Sequence, residues 1–171
     1  MDRCLCHKLV FSFILVGSYF LLPKYGFTFP PSFHLPSHFL YPLSHANIFH
    51  LAANVLCLFM LRCKPHFLAT YAIAVLCSFL PSPQLSSLIL HPSSEPEMTY
   101  GFSGVLFAMV GIAWGRAGRF REMLSRNKWF LIIPAFIPHI NFLIHLYCLL
   151  LGYAYARLTP LRKLRPLRKL R

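Results

Sequence analysis

The chain has 171 residues, 57% of them hydrophobic and only 12% charged, with a mean hydropathy of +0.57. Soluble domains are about a quarter charged, so this composition excludes an ordinary water-soluble domain and is that of a membrane protein. The formal charge of +13 would fit a nucleic-acid binder, but the placement of the basic residues argues otherwise.

Six apolar runs, at about residues 9–22, 45–61, 66–80, 103–115, 129–137 and 141–156, are separated by segments rich in Pro, Ser or Arg. They predict an all-α, polytopic bundle of six transmembrane helices forming one domain over residues 1–160, with a basic cytoplasmic tail over 161–171. With the N-terminus in the cytoplasm, sixteen of the seventeen Lys and Arg residues fall inside and Lys24 alone falls outside. That asymmetry predicts an integral multi-pass protein with both termini cytoplasmic, for which a bacterial inner membrane is the expected setting. Glu95 and Glu97 then lie outside.

The first run has basic residues before an apolar core, as a signal peptide does. No small-x-small cleavage pattern precedes Pro23 and Lys24, so it is expected to be retained. Between residues 24 and 44, Pro30, Pro31, Pro36 and Pro42 alternate with Phe27, Phe29, Phe33, Phe39 and Tyr41. Proline at that density breaks helices and aromatics favour the bilayer interface, which predicts an irregular loop partly in the outer leaflet.

The second run opens with His45, His50 and Asn54. His50 and Asn54 are four apart and share a helical face, while His45 lies about 140° away from His50. The histidines lack the four-residue spacing of a helical zinc pair, so no metal is expected. Polar groups inside a span are costly unless they face a cavity or a partner, which makes His50 with Asn54 a functional-site candidate; the plainer alternative is a hydrogen-bonded pair that locks packing. The third run carries no motif and is assigned to scaffolding.

The fourth run opens with Gly101-Phe102-Ser103-Gly104. From Ser103 to Arg116 is thirteen residues, roughly 20 Å of helix, so the serine is expected about 10 Å below the outer surface of a core about 30 Å thick. Gly101 and Gly104 are expected to let neighbouring backbone approach the hydroxyl. Gly104, Ala108, Gly111 and Gly115 form a small-residue stripe, and Asn141, His145, Cys148, Gly152 and Ala156 form one face of the sixth run. Packing of the two faces would bring His145 to the depth of Ser103. The fifth run is too short to cross unaided.

A serine hydroxyl needs a base, and histidine is the usual one. The four acids, Asp2, Glu95, Glu97 and Glu122, lie outside the runs, so catalysis would rest on a Ser103–His145 dyad. Phe107, one turn below the serine, is placed to orient the imidazole by packing, and Asn54, His50 and the backbone N–H of Ser103 are available as oxyanion donors. No cofactor is called for.

This constellation resembles the rhomboid family of intramembrane serine proteases over nearly the whole chain, through His45, His50 and Asn54, the sequence Gly101-Phe102-Ser103-Gly104, and His145 with Gly152. The resemblance implies a catalytic dyad of Ser103 and His145, an oxyanion hole lined by His50 and Asn54, a structural role for His45, and six spans with cytoplasmic termini. It also implies single-span membrane proteins as substrates, cut in or near the outer part of their transmembrane helix. Phe107 stands where that family often has tyrosine. Tyr147 and Cys148 stand where it usually has glycine soon after the histidine, bulk expected to hold the two helices further apart.

Two other classes compete. A non-catalytic rhomboid-like protein that binds membrane clients would typically lack the serine or the histidine, and both are present. A small transporter using His50, Asn54 and His145 would be favoured by proton-coupled flux surviving Ser103→Ala, and the internal repeats of many transporters are not seen. The tail repeats Leu-Arg-Lys-Leu-Arg across Pro166, which points to anionic lipid as a partner, beside the bilayer itself, rather than nucleic acid. The cysteines Cys4, Cys6, Cys57, Cys63, Cys77 and Cys148 are read as small apolar fillers, not a disulfide framework.

Overall fold

The structure is a computed structural model that describes residues 3–28, 34–61, 66–83, 98–133 and 140–159. The expectations for Glu95 and Glu97, for Pro30 and Pro31, and for the tail at 161–171 fall outside these residues. The described chain is helical: α1 (Arg3–Leu21), α2 (Leu35–Leu40), a 3-10 turn (Tyr41–Leu43), α3 (Ile48–Met60), α4 (Phe67–Cys77), α5 (Ser103–Ala117), α6 (Phe120–Ile132) and α7 (Phe142–Leu158). Among the described residues the β pairing is an isolated antiparallel bridge between Phe27 and Thr99.

Helix α5 is the centre of the bundle, with residues from Gly104 to Gly115 largely buried. Its contact with α7 is by far the most extensive in the molecule, and α4 packs on both. Glycines make this possible. A Cβ added at Gly111 would lie 2.1 Å from the carbonyl oxygen of Leu149, and one at Gly152 would lie 2.3 Å from that of Ala108. A Cβ at Gly115 would lie 2.8 Å from both the Tyr153 carbonyl oxygen and the Ala156 Cβ. The two small-residue faces therefore pack backbone to backbone, a contact that strengthens van der Waals attraction where lipid offers no hydrophobic drive.

This corrects the expected separation at Tyr147 and Cys148. Tyr147 sends its hydroxyl to the carbonyl of Pro81 at 2.7 Å, and the buried Cys148 sulfur fits against the space left by Gly104.

Helix α1 runs antiparallel to α3. Lys8, near the start of α1, donates to the carbonyls of Phe59 at 3.1 Å and of Leu61, while Ser18, near its end, donates to Leu43 at 3.0 Å. An ammonium at the last carbonyls of α3 satisfies groups the helix leaves unpaired and complements its dipole. Phe11 stacks on Phe67 of α4 at 3.5 Å and lies 6.3 Å from Phe102.

Two segments differ from expectation. The proline-rich stretch after α1 is in part helical and buried: α2 and the 3-10 turn place Ser37, His38, Tyr41 and Pro42 in the interior. Pro36 and Pro42 sit in the first turn of each piece, where a missing N–H costs nothing. The second is α6, which begins at Phe120 within a segment read as connecting chain. Phe120 packs against Trp114 and Tyr153, while Glu122 pairs with Arg119 and lies 3.2 Å from Arg126. At Asn127 the helix breaks (φ −112°, ψ 15°), and the Asn127 amide donates to Met123 O at 2.7 Å.

Among the described residues α1 alone is long and apolar enough to cross a membrane unaided. The pair formed by 35–43 and α3 passes the same test together, bent by 69°, and α4, α5 and α7 are shorter apolar helices. Large apolar side chains are exposed on the outside of the bundle, Phe13, Phe49 and Leu68 among them. An apolar exterior of this extent marks a surface that meets something other than water.

Candidate active site

Ser103 is the first residue of α5 and His145 the fourth of α7, and close α5–α7 packing brings them together: Ser103 Oγ lies 2.8 Å from His145 Nε2. Phe107, four residues after the serine on the same face, stacks flat on the imidazole with centroids 4.4 Å apart and planes 10° apart. The His145 ring is buried, and among the described residues its Nδ1 has no hydrogen-bond partner. If Nε2 accepts the serine proton, Nδ1 carries the ring hydrogen with no carboxylate behind it. The stack on Phe107 is then the contact available to orient the ring, the part a carboxylate plays in a triad.

His50 and Asn54 reach the same place from α3. The His50 ring occupies the space a side chain at Gly101 would need, with a Cβ there 2.6 Å from its Cε1 and Nε2. Gly101 also has φ +110°, a conformation that L side chains rarely adopt, so glycine is required there twice over. Asn54 donates through Nδ2 to the carbonyl of His50 at 3.0 Å, which leaves one amide hydrogen for another acceptor.

The expected placement of His45 within the second helix is incorrect. Asn47 caps α3, its Oδ1 accepting from His50 N at 2.9 Å, and the helix starts at Ile48. His45 precedes it, buried, with its ring edge-on to His50 at 5.2 Å, so the 140° helical offset does not apply. An Asn directly before an apolar run is an N-cap signal, and that signal was available in the sequence.

A cavity of about 510 Å³ joins these groups. Its polar wall has Asn47, His50, Asn54, Ser103, Asn141 and His145, and its apolar wall runs along α3 and α5 past Cys57, Leu61, Leu106 and Val110. Gly104 faces elsewhere, toward the Tyr41 hydroxyl, Cys148 and Ala74. Gly152 lies two turns beyond His145 at the helix interface. Side chains therefore fill the space beside Gly101 and Gly104.

Asn141 caps α7, accepting from Ile144 N at 3.2 Å, and donates to Ser82 O and Thr99 Oγ1 at 2.9 Å each. Tyr41 and Thr99 were not singled out in the sequence. The Tyr41 carbonyl accepts from Gly101 N at 3.0 Å and its hydroxyl donates to Ala74 O at 2.9 Å, so one residue ties the loop before Ser103 to α4.

A half-buried serine and a buried histidine from separate helices, beside a largely apolar cavity in an all-helical bundle, define the class of membrane proteins with an embedded serine–histidine pair. The profile of the Rhomboid domain family matches residues 33–161. A protein of Acanthamoeba polyphaga mimivirus named "Putative rhomboid protein L523" is 30% identical over 127 residues, covering 70% of this chain and 72% of the relative. The chain belongs to the rhomboid family, whose members are embedded in membranes.

Proposed function

We propose that this chain is an intramembrane serine endopeptidase that hydrolyses peptide bonds in or near the outer end of the transmembrane segment of single-span substrates. The observation that carries the reading is the 2.8 Å contact between Ser103 Oγ and His145 Nε2 at the wall of the cavity. Family membership supports it, since rhomboid-domain proteins are generally serine proteases.

The chemistry follows from the atoms present. His145 Nε2 takes the hydroxyl proton as Ser103 Oγ attacks the substrate carbonyl, and the carbonyl oxygen becomes an oxyanion. The Ser103 N–H, at the first position of α5, has no helical acceptor; with the Asn54 amide and His50 it supplies donors for that oxyanion. His145 then returns the proton to the leaving amine, and water, deprotonated by the same imidazole, releases the acyl group. The apolar wall at Cys57, Leu106 and Val110 suits the apolar residues around a bond cut within a membrane.

In this reading residues 1–160 form the catalytic domain, with six spans and both termini in the cytoplasm. The basic tail at 161–171 adheres to anionic lipid, and a bacterial inner membrane is the setting put forward. The test is cleavage of a model single-span substrate in liposomes. Ser103→Ala should reduce cleavage to background, whereas unaltered cleavage would remove the mechanism. Gly101→Ala should leave the helices in place yet lower cleavage about 100-fold, because it displaces both the His50 ring and the turn into Ser103. Thermal melting alongside the assay separates that outcome from unfolding.

A further inference from the structure

Two hydrogen bonds run side by side between the chain leading into α5 and the start of α7. One joins Ser103 to His145 at 2.8 Å, and the other joins Thr99 Oγ1 to Asn141 Nδ2 at 2.9 Å. The members of each pair are 42 residues apart in sequence, so the second link repeats the first four residues earlier on both elements.

Both ends of this outer link are fixed. Thr99 exchanges backbone hydrogen bonds with Phe27, at 2.8 and 3.2 Å, and Asn141 is held by its cap to Ile144 and its bond to Ser82. Thr99 and Asn141 are 6% and 4% exposed at the wall of the cavity, where the low local dielectric strengthens their contact. On the inward side, the backbone contacts at Gly111 and Gly152 set the register of α5 against α7. The dyad lies between these two fixed points. Gly101, with its φ of +110°, lies between Thr99 and Ser103, and its N–H bond to the Tyr41 carbonyl at 3.0 Å is a second hold on the same turn, which the Thr99–Asn141 link supplements from the α7 side.

We infer that Thr99 is a positioning residue: by accepting from Asn141 it holds the turn into Ser103 so that the hydroxyl meets His145 in line for proton transfer. This rests on the reading of Ser103 and His145 as the reacting pair. Among the described residues the hydrogen bonds of Thr99 run to Phe27 and Asn141 and not to that pair, so it acts through the chain that carries the serine.

The test uses the full chain in liposomes, with kcat and KM measured on a single-span substrate and Ser103 labelling by a fluorophosphonate measured in parallel. Thr99→Val keeps the side-chain shape and removes the acceptor. It should lower kcat and the labelling rate about 10- to 100-fold, with KM within about twofold. Thr99→Ser should return both rates to within about threefold of the original. A folded Thr99→Val protein with unchanged kcat and labelling overturns the inference, and so does a serine variant as impaired as the valine one. If Thr99→Val does not fold, Asn141→Asp retains the cap acceptor and gives up the amide donation; it should show the same loss of kcat, and an unchanged kcat overturns the proposal. Failure of the dyad reading is recognised separately, as cleavage that survives Ser103→Ala.

Discussion

Gly111→Ala should force α5 and α7 apart and lower the unfolding temperature of the whole bundle sharply. The added methyl would sit 2.1 Å from Leu149 O and 2.9 Å from Tyr153 N, both backbone atoms that cannot rotate away. Relief requires the helices to part along their full length, forfeiting contacts at Gly104, Ala108, Gly115 and Gly152 together. Overpacking a well-packed interior commonly costs about 1–3 kcal/mol, and a clash against main chain belongs at the upper end or beyond. Set against a total stability of about 5–15 kcal/mol, that is a large fraction. The measurement is thermal or denaturant unfolding in detergent, with Gly17→Ala as control. Gly17, in α1, has nothing within 4 Å of the added methyl, so the control should melt unchanged or slightly higher.

His145→Ala should lower kcat by about 10³-fold or more while the bundle stays assembled. At neutral pH the serine hydroxyl is a poor nucleophile, and among the side chains around the cavity His145 is the base within hydrogen-bonding reach of it. The ring contributes one hydrogen bond and one stack on Phe107, whereas α7 is held mainly by the glycine contacts, so folding survives its loss. Initial rates on a single-span substrate, with melting curves for both proteins, check this. Retention of activity would assign the base elsewhere, with His50, across the Gly101 turn, the first group to examine.

Much of this site was legible in the sequence because it depends on short-range periodicity. Residues three and four apart share a helical face, so Ser103 with Phe107, His145 with Cys148 and Gly152, and the stripe from Gly104 to Gly115 could be assigned to faces before any contact was known. Matching two narrow faces then implied the meeting of Ser103 and His145. What escaped depends on contacts distant along the chain. Tyr41 reads as one aromatic in a proline-rich loop, yet its backbone carbonyl and hydroxyl link Gly101 to Ala74. Thr99 reads as an unremarkable loop residue until Asn141 is placed beside it. The start of α3 was set too early because the apolar pattern was followed past its cap at Asn47. The piece of α6 before the break at Asn127 was missed because Arg119, Arg121 and Arg126 mask the apolar contacts of Phe120 and Met123, whereas the piece after it begins beside Trp129, where the fifth run was placed.

Activation of Ser103 by His145 in a membrane-embedded site is tested by reacting the protein in liposomes with a fluorophosphonate and locating the adduct by mass spectrometry. The account predicts a single phosphonylated residue, Ser103, with the rate falling about 100-fold or more in His145→Ala. Labelling of Ser103 at the same rate without the imidazole, or an active protein that leaves Ser103 unmodified, would contradict it.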